Sequence, residues 1–452
     1  MGRSKRQKTS RKPAAPATPR SARPLLSVDA VLRVFFALLL LAVILALYPY
    51  TQDATGPIKY LLIAWGAFIA AAILAILGTL QKVPWQTPRV FFRILAAFVG
   101  LTLAAALLSD HAGHAMVTWR RFALLFIVYL LATRAYRKPR HISGLMLVAC
   151  IGVAISTLYA IFQYFGLDPF PWESKDAPIY RELPGTFGNP NYAAHTMILC
   201  IVMSVSLAAR RWTRWAAAFG ILFLVHMYFT GQRGGLVGLT MAAALVLIAR
   251  ALRHHVRAPR RAIAATLIIT ALLIPVGLGA TMIITKARTG VALPLERQLL
   301  LRYHAYDGAS RMLLANPLLG YGPGNYQIEN PFFWTLEEQD WFAMLRKMNQ
   351  HVHNDILEAG MDAGFPGALV YLLFLLAGMG QGLMLAFTAN SPHRRRLGWT
   401  FAALFCAFLV DGTLGFNLRV PVSAFLIFLL AGAFDGLHLH AAVSPPVPAR
   451  SR

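Results

Sequence analysis

The sequence predicts an all-α polytopic membrane protein with about twelve transmembrane helices and a large helical periplasmic loop between spans nine and ten. Three observations predict it. Hydrophobic residues make up 57% of the 452-residue chain and charged residues only 13%, whereas a soluble chain is about a quarter charged. The apolar residues fall in unbroken runs, among them Val34–Leu47, Leu61–Leu80, Ile94–Leu108 and Ile263–Ile284. With their flanks, these are long enough to cross a bilayer. The basic residues behind the net charge of +25 cluster between the runs rather than within them.

Residues 1–26, rich in Lys, Arg, Pro and Ala, read as a disordered basic cytoplasmic arm. They lack the small-residue cleavage pattern of a secretory signal, so the first span is expected to be retained. Residues 27–285 then hold spans one to nine, at roughly 28–48, 58–80, 90–109, 119–134, 142–166, 191–209, 213–230, 234–251 and 262–285. Residues 286–365 form the periplasmic loop, residues 366–440 hold the last spans (366–388, 396–413, 417–440), and 441–452 is a cytoplasmic tail. With the N-terminus inside, the inner connections are the basic clusters Arg134–Arg140, Arg210–Arg214, Arg250–Arg261 and Arg394–Arg396. Among the carboxylates, only Asp29 and Asp435 fall on that side. This is the positive-inside pattern. It accounts for the charge through the membrane and its lipids, without a nucleic-acid partner. Cys150, Cys200 and Cys406 each sit in an apolar run, which excludes a disulfide framework and a thiolate metal site. The two halves show no repeat, which argues against a transporter built from repeated bundles.

The long segment after span nine far exceeds what a connector requires, and it places function on the outer face. Residues 296–315 read as a helix that Asn316-Pro317 ends. Gly320, Gly322, Pro323 and Gly324 then make a tight turn. Such a turn either presents N–H groups to an anion or is simply a loop. Further on, Asp355, Glu358 and Asp362 share one helical stripe, predicting a short amphipathic helix at the membrane surface that breaks at Gly364-Phe-Pro366. His351, His353 and Asn354 precede it, close to a helix N-terminus that favours anions. Three readings stand for the histidine pair: general base or anion contact, metal ligation with Asp355, or capping of the helix. Glu337, Glu338 and Asp340 read as a solvated cluster. Arg233 lies in a minimal outer turn, Thr230–Gly235, and Arg302 and Arg311 lie on the loop helix. Each arginine can lie solvated at a span end or on a helix face. Taken together with the histidines, they suggest a site for a phosphate-bearing substrate, because Arg grips phosphate with a bidentate fork. The first outer loop has no Asp-x-Asp pair to hold a cation, which points to chemistry without a metal.

Four stretches resemble the O-antigen ligase and polymerase superfamily of bacterial envelope glycosyltransferases: Gly185–Asn191, the Arg233-Gly-Gly turn, Arg302 through Asn325, and His353–Glu358 with Gly364–Gly367. The resemblance is specific over about residues 185–375 and rests on topology before that. It implies a metal-free and cofactor-free transferase of the cell inner membrane, acting in lipopolysaccharide biosynthesis at the periplasmic face. Such an enzyme moves a glycan from undecaprenyl diphosphate to an acceptor hydroxyl, on a lipid A-core sugar (ligase) or on another repeat unit (polymerase). By resemblance His353 is the general base, with His351 as a second candidate. Arg233 and Arg302 neutralise the diphosphate, joined by Arg311, while Asn354, Asp355, Gly322 and Gly324 support the site. The anomeric centre is inverted. Tyr306 stands where the family often carries Trp. From a different class, an exporter of lipid-linked solutes is the alternative; it predicts charged residues buried in the spans, which read here as nearly free of them.

Overall fold

In the computed structural model the described residues are 27–50, 53–82, 91–170, 182–208, 213–256, 258–273, 293–336, 338–340 and 350–443. Residues 1–26, 274–292, 341–349 and 444–452, with several other stretches, lie outside them. Among the described residues the chain is helical, with no β-strand. The helices are α1 (Val28–Leu45), α2 (Gly56–Leu80), α3 (Phe92–Leu108), α4 (Ala112–Ala135), α5 (Pro139–Tyr164), α6 (Pro190–Ala208), α7 (Thr213–Phe229) and α8 (Arg233–His255). They continue with α9 (259–273), α10 (Leu293–Ala315), the single turn α11 (Tyr326–Glu329), α12 (Asp355–Thr388), α13 (Pro392–Gly412) and α14 (Pro421–Val443). Eight are long and apolar enough to cross a membrane: α1, α2, α4, α5, α6, α8, α12 and α14. The apolar α3 and α7 are shorter, and α13 carries Arg394–Arg396 in its first turns. The second half of the expected ninth span, 274–285, lies outside the described residues; the helices that are described make the chain a multi-pass, all-α membrane protein.

Burial follows composition. The first eighteen residues of α14 are mostly apolar, and 94% of them are buried, as expected for a helix at the centre of a bundle. The second half of α13 is buried as well, from Leu397 to Gly412. It packs against α12 through small residues: a Cβ at Gly382 would stand 2.5 Å from the Ala402 backbone nitrogen. Without a hydrophobic drive between helices in lipid, such close backbone contact is a main source of association.

Three expectations are corrected. The Asp355–Asp362 stripe is not a surface face, because Asp355, Glu358 and Asp362 are 2%, 3% and 2% exposed and point into the protein. Glu338 is not solvated; it is buried against Arg311 and His304. Nor are the spans nearly free of charge. Lys59 on α2, Asp411 on α13 and Asp435 on α14 are buried. Lys59 illustrates how such a group is accommodated. Its Nζ donates to the carbonyls of Val43, Ile44 and Ala46 at 2.7–2.9 Å, completing the open end of α1.

The expected break in α12 is present. Ala363 and Gly364 leave helical geometry, Gly364 at φ 65°, and the helix resumes at Phe365. The break seats the glycine turn, since Tyr321 N–H donates to Met361 O at 2.7 Å and Phe365 N–H to Pro317 O at 2.8 Å. Two motifs more than thirty residues apart therefore form one joint.

Candidate functional site

A half-open cavity of about 190 Å³ lies where α6, α8, α10, the start of α12 and the α13–α14 link converge. Asn191 and His195 come from α6, Gln232 and Gly234 from the start of α8, and Arg302 from α10. His353 comes from the stretch before α12, and Asp411, Leu414, Gly415 and Phe416 from the end of α13 and the link. The cavity brings together Arg302 and His353, which sequence reasoning had singled out. Arg233 opens α8 between the two cavity residues Gln232 and Gly234; its side chain lies outside the described residues.

His353 occupies the left-handed backbone region, at φ 59°, which a non-glycine residue holds only when its surroundings enforce it. Tyr306 on α10 does so: its hydroxyl lies 2.9 Å from His353 O and 3.0 Å from Thr413 O. Burial first, then His351 and Arg302, pulls the imidazole down to a pKa of about 4, against a smaller opposing pull from Glu358. The ring is therefore neutral at physiological pH, as a proton acceptor must be. Among the described residues no carboxylate pairs with Arg302, so its positive charge is left for something else.

His351 is turned the other way. Its Nδ1 is 2.6 Å from Glu358 Oε1, and its ring stacks on Phe416 at 4.5 Å between centroids. Phe416 also meets His353 edge-on at 4.9 Å and His195 at 6.1 Å. Behind this layer the three carboxylates of α12 hold the α13–α14 link in place. Asp355 accepts from Leu418 N–H at 3.2 Å and from the Tyr371 hydroxyl at 3.3 Å. Arg419 is 3.3 Å from Glu358 and ion-paired with Asp362. Burial lowers the Arg419 pKa, but Asp362 and Glu358 outweigh it and hold the group above its ordinary value. Asp362 also accepts from Gly324 N–H at 3.2 Å.

These bonds decide several open readings. The glycine turn spends the Gly324 N–H on the carboxylate of Asp362, a partner within its own chain. The positive φ values of Gly322 and Gly324, 88° and 84°, explain why glycine stands there. Asn354 caps α12, its Oδ1 accepting from Ile356 and Leu357 N–H at 3.0 and 3.2 Å. The helix N-terminus is thus already partly satisfied. His351, His353 and Asp355 do not form a ligand set: among the described residues no three His, Cys, Asp or Glu side chains gather closely enough to hold a metal ion. Arg311 is not brought to the cavity. It pairs with Asp307 and with the buried Glu338, and its Nε donates to Phe333 O at 3.1 Å.

Sequence reasoning missed His195, Asp411, Phe416 and Arg419. Asp411 interrupts an apolar run, which is itself a signal of function in a membrane helix. His195 lies one helical turn after Asn191, the last residue of a stretch already singled out. Phe416 and Arg419 sit in a short link that carried no motif.

No curated protein matches the chain at a significant level. Residues 216–372 match the family model of the O-antigen ligases, a segment that includes Arg233, Arg302 and His353 and stops short of Asp411. Over that segment, about a third of the chain, the protein is similar to the O-antigen ligases, a family of ligase- or polymerase-type glycan transfer.

Proposed function

We propose that the protein is an O-antigen ligase-type glycosyltransferase of the bacterial inner membrane, with its cavity open to the periplasm. It takes a glycan from undecaprenyl diphosphate and transfers it to a hydroxyl of a lipid A-core sugar. One observation carries this reading: a neutral imidazole, His353, and an arginine with no described carboxylate partner, Arg302, line the same cavity. The imidazole takes the proton of the acceptor hydroxyl, and the acceptor oxygen forms its bond to the anomeric carbon as the bond to the diphosphate breaks. Arg302, with Arg233 at the α8 entrance, neutralises the charge that gathers on the departing diphosphate. A diphosphate leaves readily, so charge stabilisation and positioning supply most of the acceleration. A single displacement inverts the anomeric centre. Neither step calls on a metal or a cofactor.

Purified full-length protein, given a carrier-linked glycan and a lipid A-core acceptor, is expected to form the glycosylated core in excess EDTA. His353→Ala is expected to lower the rate roughly 10²–10⁴-fold. Loss of activity on chelation, restored by a divalent cation, overturns the metal-free mechanism. Deletion in cells separates the acceptors: long chains left on the carrier lipid mark a ligase, and single uncapped repeats mark a polymerase.

A further inference from the structure

We infer that His195, fixed in one tautomer by Asp411, is a second imidazole that binds substrate: its Nε2 accepts a hydrogen bond from a sugar hydroxyl of the glycan held in the cavity. The inference rests on the transfer reading above, which brings a sugar to this place. His195 comes from α6, on a different wall from the His351–His353 stretch and outside the matched segment.

The tautomer follows from its partner. His195 Nδ1 lies 2.6 Å from Asp411 Oδ2, and the same oxygen accepts from Asn417 Nδ2 at 2.9 Å. An ionised carboxylate can only accept, so in the neutral ring Nδ1 carries the proton and Nε2 carries the lone pair. That Nε2 is buried and has no hydrogen-bond partner among the described residues. Buried acceptors in folded proteins nearly always have a donor, and this one belongs to a residue on the cavity wall. A tie between α6 and α13 needs Nδ1 alone and gives Nε2 nothing to do.

The neighbouring groups suit a hydroxyl. Asn191 lies on the same helix, four residues before His195 and on the same face, and Gln232 shares the cavity. Their carboxamides offer both donors and acceptors, as do the hydroxyls of a sugar. Gly415 leaves room for the ring: a Cβ there would stand 2.6 Å from His195 Cε1 and 3.0 Å from Nε2.

Two substitutions at one position separate binding from a purely structural tie. His195→Asn keeps an amide near the place of Nδ1, so it retains the bond to Asp411, but nothing reaches the place of Nε2. His195→Gln puts a carboxamide near Nε2. Initial rates of the purified full chain are measured with the carrier-linked donor and the core acceptor varied separately. His195→Asn is expected to raise KM for one sugar substrate about tenfold, with a smaller change in kcat, and His195→Gln to recover part of that loss. A raised acceptor KM assigns the hydroxyl to the acceptor; a raised donor KM assigns it to the donor glycan. Unchanged KM for both substrates in folded His195→Asn overturns the inference, as does a loss confined to kcat. If His195→Asn cannot be recovered folded, Gly415→Ala places a methyl group against Cε1 and Nε2 of the same ring while keeping both His195 and Asp411 in the chain. It carries the same expectation and the same refutation. Failure of the wild type to transfer glycan counts against the proposed function instead. Binding is then read without turnover, from the thermal stabilisation that a core oligosaccharide and the carrier-linked donor each give the wild type relative to His195→Asn. An equal stabilisation of the two proteins by both ligands overturns the inference.

Discussion

The two sides of α10 use the same residue type for opposite purposes. Arg302 and Arg311 are nine positions apart, two and a half turns at 3.6 residues per turn, so they leave the helix on opposite faces. Tyr306 lies one turn beyond Arg302 on the cavity side, where its hydroxyl meets the His353 carbonyl. On the other side His304, Asp307 and Arg311 form a second stripe, and Glu338 closes it. A guanidinium paired with two carboxylates holds a loop in place; one without a described carboxylate partner keeps its charge for a ligand. The difference teaches that charge type on a loop helix says little until the partner is known.

The comparison is broken most directly by changing each arginine to lysine, which keeps the charge and removes the fork. Arg302→Lys is expected to lower kcat/KM by about 10²-fold, the scale seen when one transition-state donor is lost, with thermal stability unchanged. Arg311→Lys is expected to keep activity close to wild type. Arg311→Met, which leaves Glu338 buried beside His304, is expected to cost about 1–3 kcal/mol of stability. An inactive Arg311→Lys beside an active Arg302→Lys reverses the assignment of the two faces.

The acidity of His353 gives the next test. Its folded-state pKa, about 4, lies below the ordinary value of 6.5 because of burial, then His351 and Arg302, with Glu358 opposing. The neutral imidazole, the form the proposed reaction needs, is therefore fully present at neutral pH and lost as pH falls through about 4. The acid limb of kcat/KM, which reports the free enzyme, should sit near pH 4 rather than 6.5. The sign for stability is the same. Between these two values the unfolded state binds the extra proton, so this contribution is complete above about 6.5 and is lost as pH falls towards about 4. Arg302→Ala removes one lowering influence and should move the limb upward. A limb near 6.5 in the wild type means that His353 is solvated.

How much of this was legible in the sequence depends on which kind of information each residue needed. The helices were legible because a bilayer demands long apolar runs and the basic clusters lie between them. Arg302 and His353 were legible as residue types within stretches that resemble a family. The stripe of Asp355, Glu358 and Asp362 was legible as a shared face, but helical spacing does not say which way a face points. Its burial depends on Arg419, which arrives from a link about sixty residues later. The same holds for His195 and Asp411, 216 positions apart. Each looks like an isolated polar residue until α6 and α13 are packed side by side. Glu338 misled for the converse reason, since a dense acidic run reads as solvated until His304 and Arg311 are seen against it.

The smallest expected effect sharpens the comparison further, because it probes the cavity face of α10 without touching a charge. The Tyr306 hydroxyl has one proton and two carbonyls within reach, His353 O at 2.9 Å and Thr413 O at 3.0 Å. Tyr306→Phe keeps the ring and removes the only group seen to hold His353 O, at a residue whose φ of 59° needs support. A neutral hydrogen bond is worth about 0.5–1.5 kcal/mol, which as misplacement of the base corresponds to a roughly twofold to tenfold fall in kcat. KM for the donor should not move, because in the proposed reaction the diphosphate meets Arg302 and not Tyr306. Wild-type kcat in Tyr306→Phe would mean that this face acts through Arg302 alone. A loss as large as that of Arg302→Lys would mean the reverse: that α10 contributes chiefly by fixing the His353 backbone, with the guanidinium secondary.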